Sequence, residues 1–94
     1  MGKIYKTDGM VVATEPANGN DFQLSELRSV VGGYIEVVTL RDGLMMVVNE
    51  EGKLQNLPVN YNATTVLQNM AMNEGYKNDY VCGDAIVCER HQIL

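Results

Sequence analysis

Two short apolar segments joined by a tight turn constrain the fold of this 94-residue chain more than any other feature. Residues 34–40 and Leu44–Asn49 are rich in β-branched side chains, which favour extended backbone. Arg41-Asp42-Gly43 between them is typical of a hairpin turn. Because both segments are apolar at nearly every position, we predict central strands that are covered on both faces. Helices would cover one face, and another subunit would cover the other.

Two helices are predicted beside this hairpin. Apolar side chains recur at helical spacing over Leu24–Val31, and Gly32-Gly33 would end that helix because Gly accepts a left-handed backbone. Asp21 or Ser25 would cap its start. The second helix would be capped by Asn60 or Asn62. Its apolar face would be formed by Ala63, Val66, Leu67 and Met70.

The remaining segments predict further strands. Residues 3–15 read as an N-terminal hairpin, with turn chemistry at Asp8-Gly9. Residues 54–57 would form a short edge strand limited by Pro58, and residues 81–88 the last strand, with a bulge at Gly83-Asp84. Residues 76–80 are predicted to form a loop, and the tail from residue 89 onward is predicted to be loose.

The predicted fold is therefore α+β, with a small antiparallel or mixed sheet of about five strands and two helices packed on one face. The length favours a single domain over residues 1–94. A chain of this size with strands this apolar is expected to cover part of its surface by self-association, so we predict a homodimer or higher oligomer.

Charge and hydropathy exclude several classes of protein. The formal net charge is −5, and no two of the seven Lys and Arg residues are adjacent, which argues against a nucleic-acid surface. The longest purely apolar run, residues 44–48, is far shorter than the ~20 residues of a membrane-spanning helix. The N-terminus lacks the apolar core of a signal peptide. We therefore expect a cytoplasmic protein without a membrane association.

The two cysteines agree with a reducing compartment. Cys82 and Cys88 would lie in one strand, about 20 Å apart at ~3.3 Å per residue, whereas a disulfide needs less than ~7 Å. Two free thiols are thus expected. Together with His91 they fit no compact zinc pattern, so neither a metal nor a cofactor is predicted.

Several short motifs occur in a fixed order along the chain. They are Val31-Gly32-Gly33-Tyr34-Ile35-Glu36-Val37-Val38, Val48-Asn49-Glu50-Glu51-Gly52-Lys53, Leu57-Pro58-Val59-Asn60, Ala63-Thr64 and Cys82-Gly83-Asp84-Ala85-Ile86-Val87. This succession, over residues 24–87, resembles the DUF3846 family of small proteins of unknown function from bacteriophages and related mobile elements. Cys82 departs from the pattern, where an aliphatic residue is expected. The resemblance implies a phage or mobile-element origin and transfers no catalytic or binding residue.

Polar residues around one turn and one helix start form the candidate site. A helix N-terminus can hold an anion, and Lys53 would add positive charge. Asn49 or Asn60 would form hydrogen bonds with amide groups or base edges of a ligand, and Tyr34 would stack on a ligand ring. The alternative is that Asn60 and its neighbours only cap the helix while Lys53 is solvated. The candidate ligand-binding residues are Tyr34, Asn49, Glu50, Lys53, Asn60 and Thr64.

No catalytic residue is predicted, and three functions stay open. Glu50 and Glu51 are adjacent carboxylates, but neighbouring residues at a turn usually point apart. The first function is a non-enzymatic phage-type binder that sequesters a small, anionic, nucleotide-like ligand, such as a host immune signal. The second is a protein inhibitor of a host defence enzyme. The third is an enzyme acting on a nucleotide, which substitution of Glu50 or Glu51 by Gln would test.

Overall fold

A computed structural model describes residues 2–93 of the chain. It contains five strands and two α-helices, with short 3₁₀ helices at Glu74–Tyr76 and Arg90–Gln92. In chain order the main elements are β1 (Gly2–Tyr5), β2 (Val11–Thr14), α1 (Leu24–Val31), β3 (Ile35–Thr39), β4 (Leu44–Asn49), α2 (Tyr61–Met70) and β5 (Ala85–Glu89). The predicted α+β class with about five strands and two helices is confirmed.

The strands form one open sheet in the order β2-β1-β5-β4-β3, and every neighbouring pair is antiparallel. Both predicted hairpins are present, and β5 lies between them. The prediction that β3 and β4 are both central holds for β4 only, because β3 is an edge strand. Its exposed side chains include Glu36, Val37 and Thr39. The apolar pattern alone could not show that β5 would pair with β1 and β4.

The two helices pack on opposite faces of the sheet, not on one face as predicted. On β4 and β5 the buried side chains alternate between two cores. Met46 and Val87 pack with α2, whereas their neighbours Val47 and Ile86 pack with α1. The central strands are thus covered on both faces within one chain, so covering them requires no second subunit.

Two predicted strands differ from the structure. Residues 54–57 belong to a series of turns, in which Gln55 N–H donates to the Glu51 carbonyl and Leu57 N–H to the Gly52 carbonyl. Local hydrogen bonds here replace strand pairing. The last strand starts at Ala85, because Gly83 has a φ of 94° and interrupts the extended backbone. Cys82 therefore lies outside the strand that holds Cys88, and both cysteines are buried and free.

The tail from residue 89 onward was predicted to be loose, but its described part, up to Ile93, is packed. Arg90–Gln92 form a 3₁₀ helix, Gln92 is buried, and its carbonyl accepts a hydrogen bond of 2.7 Å from Phe22 N–H. Ile93 packs against the core under α1. Phe22 and Ile93 are far apart in sequence, so neither segment alone indicates this contact.

The helix ends follow local chemistry. Gln23, rather than Asp21 or Ser25, is the N-cap of α1, and the Glu26 carboxylate accepts from its N–H at 2.8 Å. Gly32 ends α1 as predicted, with a φ of 80° and a hydrogen bond to the Arg28 carbonyl. Over residues 2–93, neither helix has the length and apolar character needed to cross a bilayer.

Candidate functional site

The structure divides the six predicted site residues into two groups. Asn49, Glu50 and Lys53 line a pocket on the α2 face of the sheet. Tyr34, Asn60 and Thr64 lie outside that pocket, so the predicted cluster is not one site. The contacts of each residue explain why.

Asn60 is a structural residue. It is fully buried, and its side-chain oxygen accepts a hydrogen bond of 3.0 Å from Ala63 N–H, which caps α2. Its amide nitrogen donates to the carbonyls of Tyr5 at 2.7 Å and Gly83 at 3.0 Å. One side chain thus ties the start of α2 to β1 and to the segment before β5. No polar atom of this amide is left for a ligand.

Thr64 and Asn49 also satisfy backbone groups. The Thr64 hydroxyl accepts from Val81 N–H at 2.9 Å. The buried Asn49 amide donates to the Val31 carbonyl at 3.1 Å, and its oxygen accepts from Glu51 N–H at 2.8 Å. Asn49 therefore holds the turn after β4 against the end of α1, and it lines the pocket as part of its wall.

Tyr34 is exposed and stacks within the chain. The Arg28 guanidinium carbon lies 4.8 Å from the centroid of the Tyr34 ring, a cation–π contact between α1 and the residue before β3. The backbone carbonyl of Tyr34 accepts a hydrogen bond of 2.9 Å from Glu50 N–H. The predicted stacking of a ligand ring on Tyr34 therefore has no connection with the pocket.

The pocket has an apolar floor and a polar rim. Val38, Val48, Leu67 and Val81 form the floor, contributed by β3, β4, α2 and the segment before β5. The volume is about 90 Å³. The turn after β4 closes one side. Gly52 is required there, because a Cβ at this position would lie 2.5 Å from the Cys82 carbonyl oxygen. The rim side chains are Glu36, Glu50, Lys53, Tyr76, Asp79 and Tyr80.

Lys53 is the only cation among the lining residues, and it is already paired. Its ammonium group forms a salt bridge with the Asp79 carboxylate and lies 4.3 Å from the centroid of the Tyr80 ring. The hydrogen bond to Asp79 raises the pKa of Lys53 despite partial burial. Burial alone would raise the pKa of Asp79, but the bonds from Lys53 and Tyr80 N–H outweigh it and lower that pKa. Both groups are therefore charged at neutral pH.

A second polar pair faces the pocket from the other side. The Tyr76 hydroxyl donates a hydrogen bond of 3.0 Å to the Glu36 carboxylate. This bond, together with partial burial, raises the pKa of Tyr76, so the phenol stays neutral. The rim then carries three carboxylates, on Glu36, Glu50 and Asp79, against the single ammonium of Lys53. Asn60 caps α2 and Lys53 lies among carboxylates, so this geometry does not favour an anion at the start of α2, and the predicted anion site stays a prediction.

Sequence reasoning missed four rim residues: Glu36, Tyr76, Asp79 and Tyr80. Glu36 is the one charged residue of β3, and the mostly apolar pattern of this strand does not indicate a polar site. The other three lie in a polar segment that reads as a loop. Only the packing of this segment against β3 and the turn after β4 brings its side chains to the pocket.

A larger groove, of about 280 Å³, lies between α1 and β3. Its lining contains no charged side chain and consists of Phe22, Gln23, Leu24, Leu27, Ile35, Val37 and Ile93. Polar groups that would fix a ligand's orientation are thus few there, whereas several converge on the smaller pocket. Among residues 2–93, no group of three or more His, Cys, Asp or Glu side chains could hold a metal ion.

Comparison with known proteins identifies a family and no activity. A family model described as a domain of unknown function, DUF3846, matches residues 4–92. The match is longer than the 24–87 span suggested by the sequence motifs, and it includes most of the N-terminal hairpin and the 3₁₀ helix Arg90–Gln92. No curated protein and no solved structure matches the chain.

Proposed function

We propose that this chain, which belongs to the DUF3846 family of unknown function, is a non-catalytic protein that binds and sequesters a small nucleotide-like ligand. The observation that carries this proposal is the pocket between Glu36 and Lys53. An apolar floor with polar groups converging from separate segments is the usual form of a small-molecule site.

The state of the polar groups favours binding over catalysis. Lys53 is paired with Asp79 and Tyr76 with Glu36, and these contacts raise the pKa of both Lys53 and Tyr76, so neither group is an activated nucleophile. The chain's one histidine, His91, lies in the packed tail and is not among the residues that line the pocket. Protonated, paired side chains of this kind favour holding a ligand over attacking it.

The size of the pocket sets how a ligand binds. At about 90 Å³ it is smaller than the roughly 300–1,000 Å³ typical of sites that enclose a whole ligand. One end of a nucleotide enters, and the rest lies outside. The predicted homo-oligomer would cover that outer part if a second copy packed over the pocket mouth.

In a phage-type protein, such binding would serve to counter a bacterial immune response. A protein that holds a nucleotide-like immune signal in the bacterial cytosol lowers the free concentration of the signal without modifying it. This works only when the dissociation constant lies below the concentration that activates the defence, which for micromolar signals requires at least about 8 kcal/mol of binding free energy.

Native mass spectrometry and calorimetry against cyclic nucleotides and ADP-ribose derivatives test the proposal. We expect stoichiometric binding of at least one compound, recovered unchanged after incubation. Val48→Phe fills the pocket and should abolish binding, whereas Val12→Phe, on the exposed strand β2, is the matched control. Absence of binding by every compound, or a chemically altered ligand, rejects the proposal.

A protein inhibitor is the second candidate, and strand β2 favours it. Lys6 N–H donates to the Met10 carbonyl, so alternation along the ladder directs the backbone groups of Val11 and Ala13 away from β1. Val11 and Val12 are also exposed. A partner strand could pair with this uncharged edge. Capture of a host enzyme that is lost in Val11→Lys, with nucleotide binding absent, would support this candidate over the first.

A further inference from the structure

We propose that the part of the ligand that enters the Glu36–Lys53 pocket is a nitrogen hydrogen-bond donor, an amino or ammonium group, and not a phosphate. This inference rests on the proposed function and names the chemistry of its site. Adenine, with its exocyclic amine, and an alkylammonium compound both present such a group.

The negative charge of the rim favours a hydrogen-bond donor over a phosphate. Three carboxylates surround the floor, and the ammonium of Lys53 is already neutralised by Asp79. A phosphate entering here would approach Glu36 and Glu50 with no unpaired cation to receive it. A donor group meets acceptors instead, because an ionised carboxylate accepts several hydrogen bonds and donates none.

The side of the pocket formed by Asp79 and Tyr80 already holds a cation, the Lys53 ammonium group. This group lies against a carboxylate, that of Asp79, and over the face of an aromatic ring, that of Tyr80. A carboxylate beside an aromatic face is a favourable environment for an ammonium group. The chain therefore fills this side of the pocket with a side chain of the chemistry that we assign to the ligand, and the ligand competes with Lys53 for Asp79.

Glu36 offers a second acceptor to the donor group that Asp79 binds. It takes one hydrogen bond from the neutral Tyr76 hydroxyl and keeps acceptor capacity. The volume agrees with a single head group, since about 90 Å³ is less than the ~150 Å³ cavity that holds benzene. A base would insert its amino edge and leave its sugar and phosphates at the mouth.

Lys53→Met and Asp79→Asn distinguish a donor from a phosphate, because the two ligand types predict opposite effects. For a donor group, Lys53→Met frees Asp79 and tightens binding by about threefold to tenfold, and Asp79→Asn weakens it by about tenfold. For a phosphate, Lys53→Met weakens binding. Lys77→Met and Glu74→Gln make the same charge changes at an exposed pair and serve as controls.

Calorimetry with adenosine, inosine, spermidine and inorganic phosphate completes the test, alongside any nucleotide found to bind and a melting curve for each variant. Adenosine binding above inosine assigns a base, and spermidine binding assigns an alkylammonium compound; either supports the inference. Binding that Lys53→Met weakens or leaves unchanged, or binding of phosphate alone, overturns it while ligand binding itself stands. If no probe and no nucleotide binds, the inference and the proposed function fail together.

Discussion

The buried amides of Asn49 and Asn60 and the charged side chains of Lys53 and Asp79 differ in what they are bonded to. The amides donate to backbone carbonyls of distant segments and accept from backbone N–H groups two or three residues further along the chain. The charged groups bond to each other at a partly exposed rim. Polar side chains that look alike in the sequence therefore divide into those that hold the fold together and those that a ligand can reach. Burial decides between them, because a buried polar group without a partner is costly.

Asn60→Ala should have the largest effect on stability. It removes the cap of α2 and leaves the Tyr5 and Gly83 carbonyls without this donor in the interior, which we expect to lower the free energy of unfolding by about 3 kcal/mol. Urea denaturation measures the loss. Asn62→Ala is the control, since Asn62 is exposed and makes one bond of 3.2 Å to Gly9. Similar losses in both variants would show that burial and multiple bonds give Asn60 no special role in stability.

Asn49→Ala should cost less, about 2 kcal/mol, because its bonds join one turn to the end of α1. Hydrogen exchange should also show faster exchange of the Glu51 N–H, which loses its acceptor. Asn69→Ala removes an amide from an exposed position of α2 and should change stability by less than about 0.5 kcal/mol. An unchanged Glu51 N–H would mean that Asn49 does not hold the turn.

Lys53→Met should have the smallest effect, below about 1 kcal/mol at neutral pH, because the Lys53–Asp79 pair is partly exposed. The lowered pKa of Asp79 makes this contribution present above the ordinary aspartate range and lost on acidification below about pH 4. The raised pKa of Lys53 makes it present at neutral pH and lost as pH rises through the lysine range.

Unfolding free energies of the wild type, Lys53→Met and the control Lys77→Met across this pH range measure the contribution. The difference between wild type and Lys53→Met should be largest near neutrality and shrink toward both extremes. A loss as large as that of Asn60→Ala would place Lys53 with the buried amides and remove the distinction drawn above.

Features that depend on neighbours in sequence were predictable. Asp42 and Gly43 adopt positive φ at the central hairpin, Gly32 stops α1, and Asn60 caps α2. Each follows from the backbone angles or hydrogen bonds that one residue offers within a few positions. Two failures are local, the turns at residues 54–57 and the Gln23 cap of α1, and the others are long-range. The position of β3 at the edge, the packed tail and the opposite placement of the helices all depend on where β5 inserts.

The candidate site shows the same division. Sequence alone placed Asn49, Glu50 and Lys53 around one turn, because the three lie within five residues of each other. It could not place Glu36, Tyr76, Asp79 or Tyr80, which reach the pocket from a strand and from a loop after α2. Tertiary structure decided the partner of Lys53 and so the sign of charge at the rim. The physical reason is that electrostatic pairing depends on distance in space, whereas capping and turn formation depend on distance along the chain.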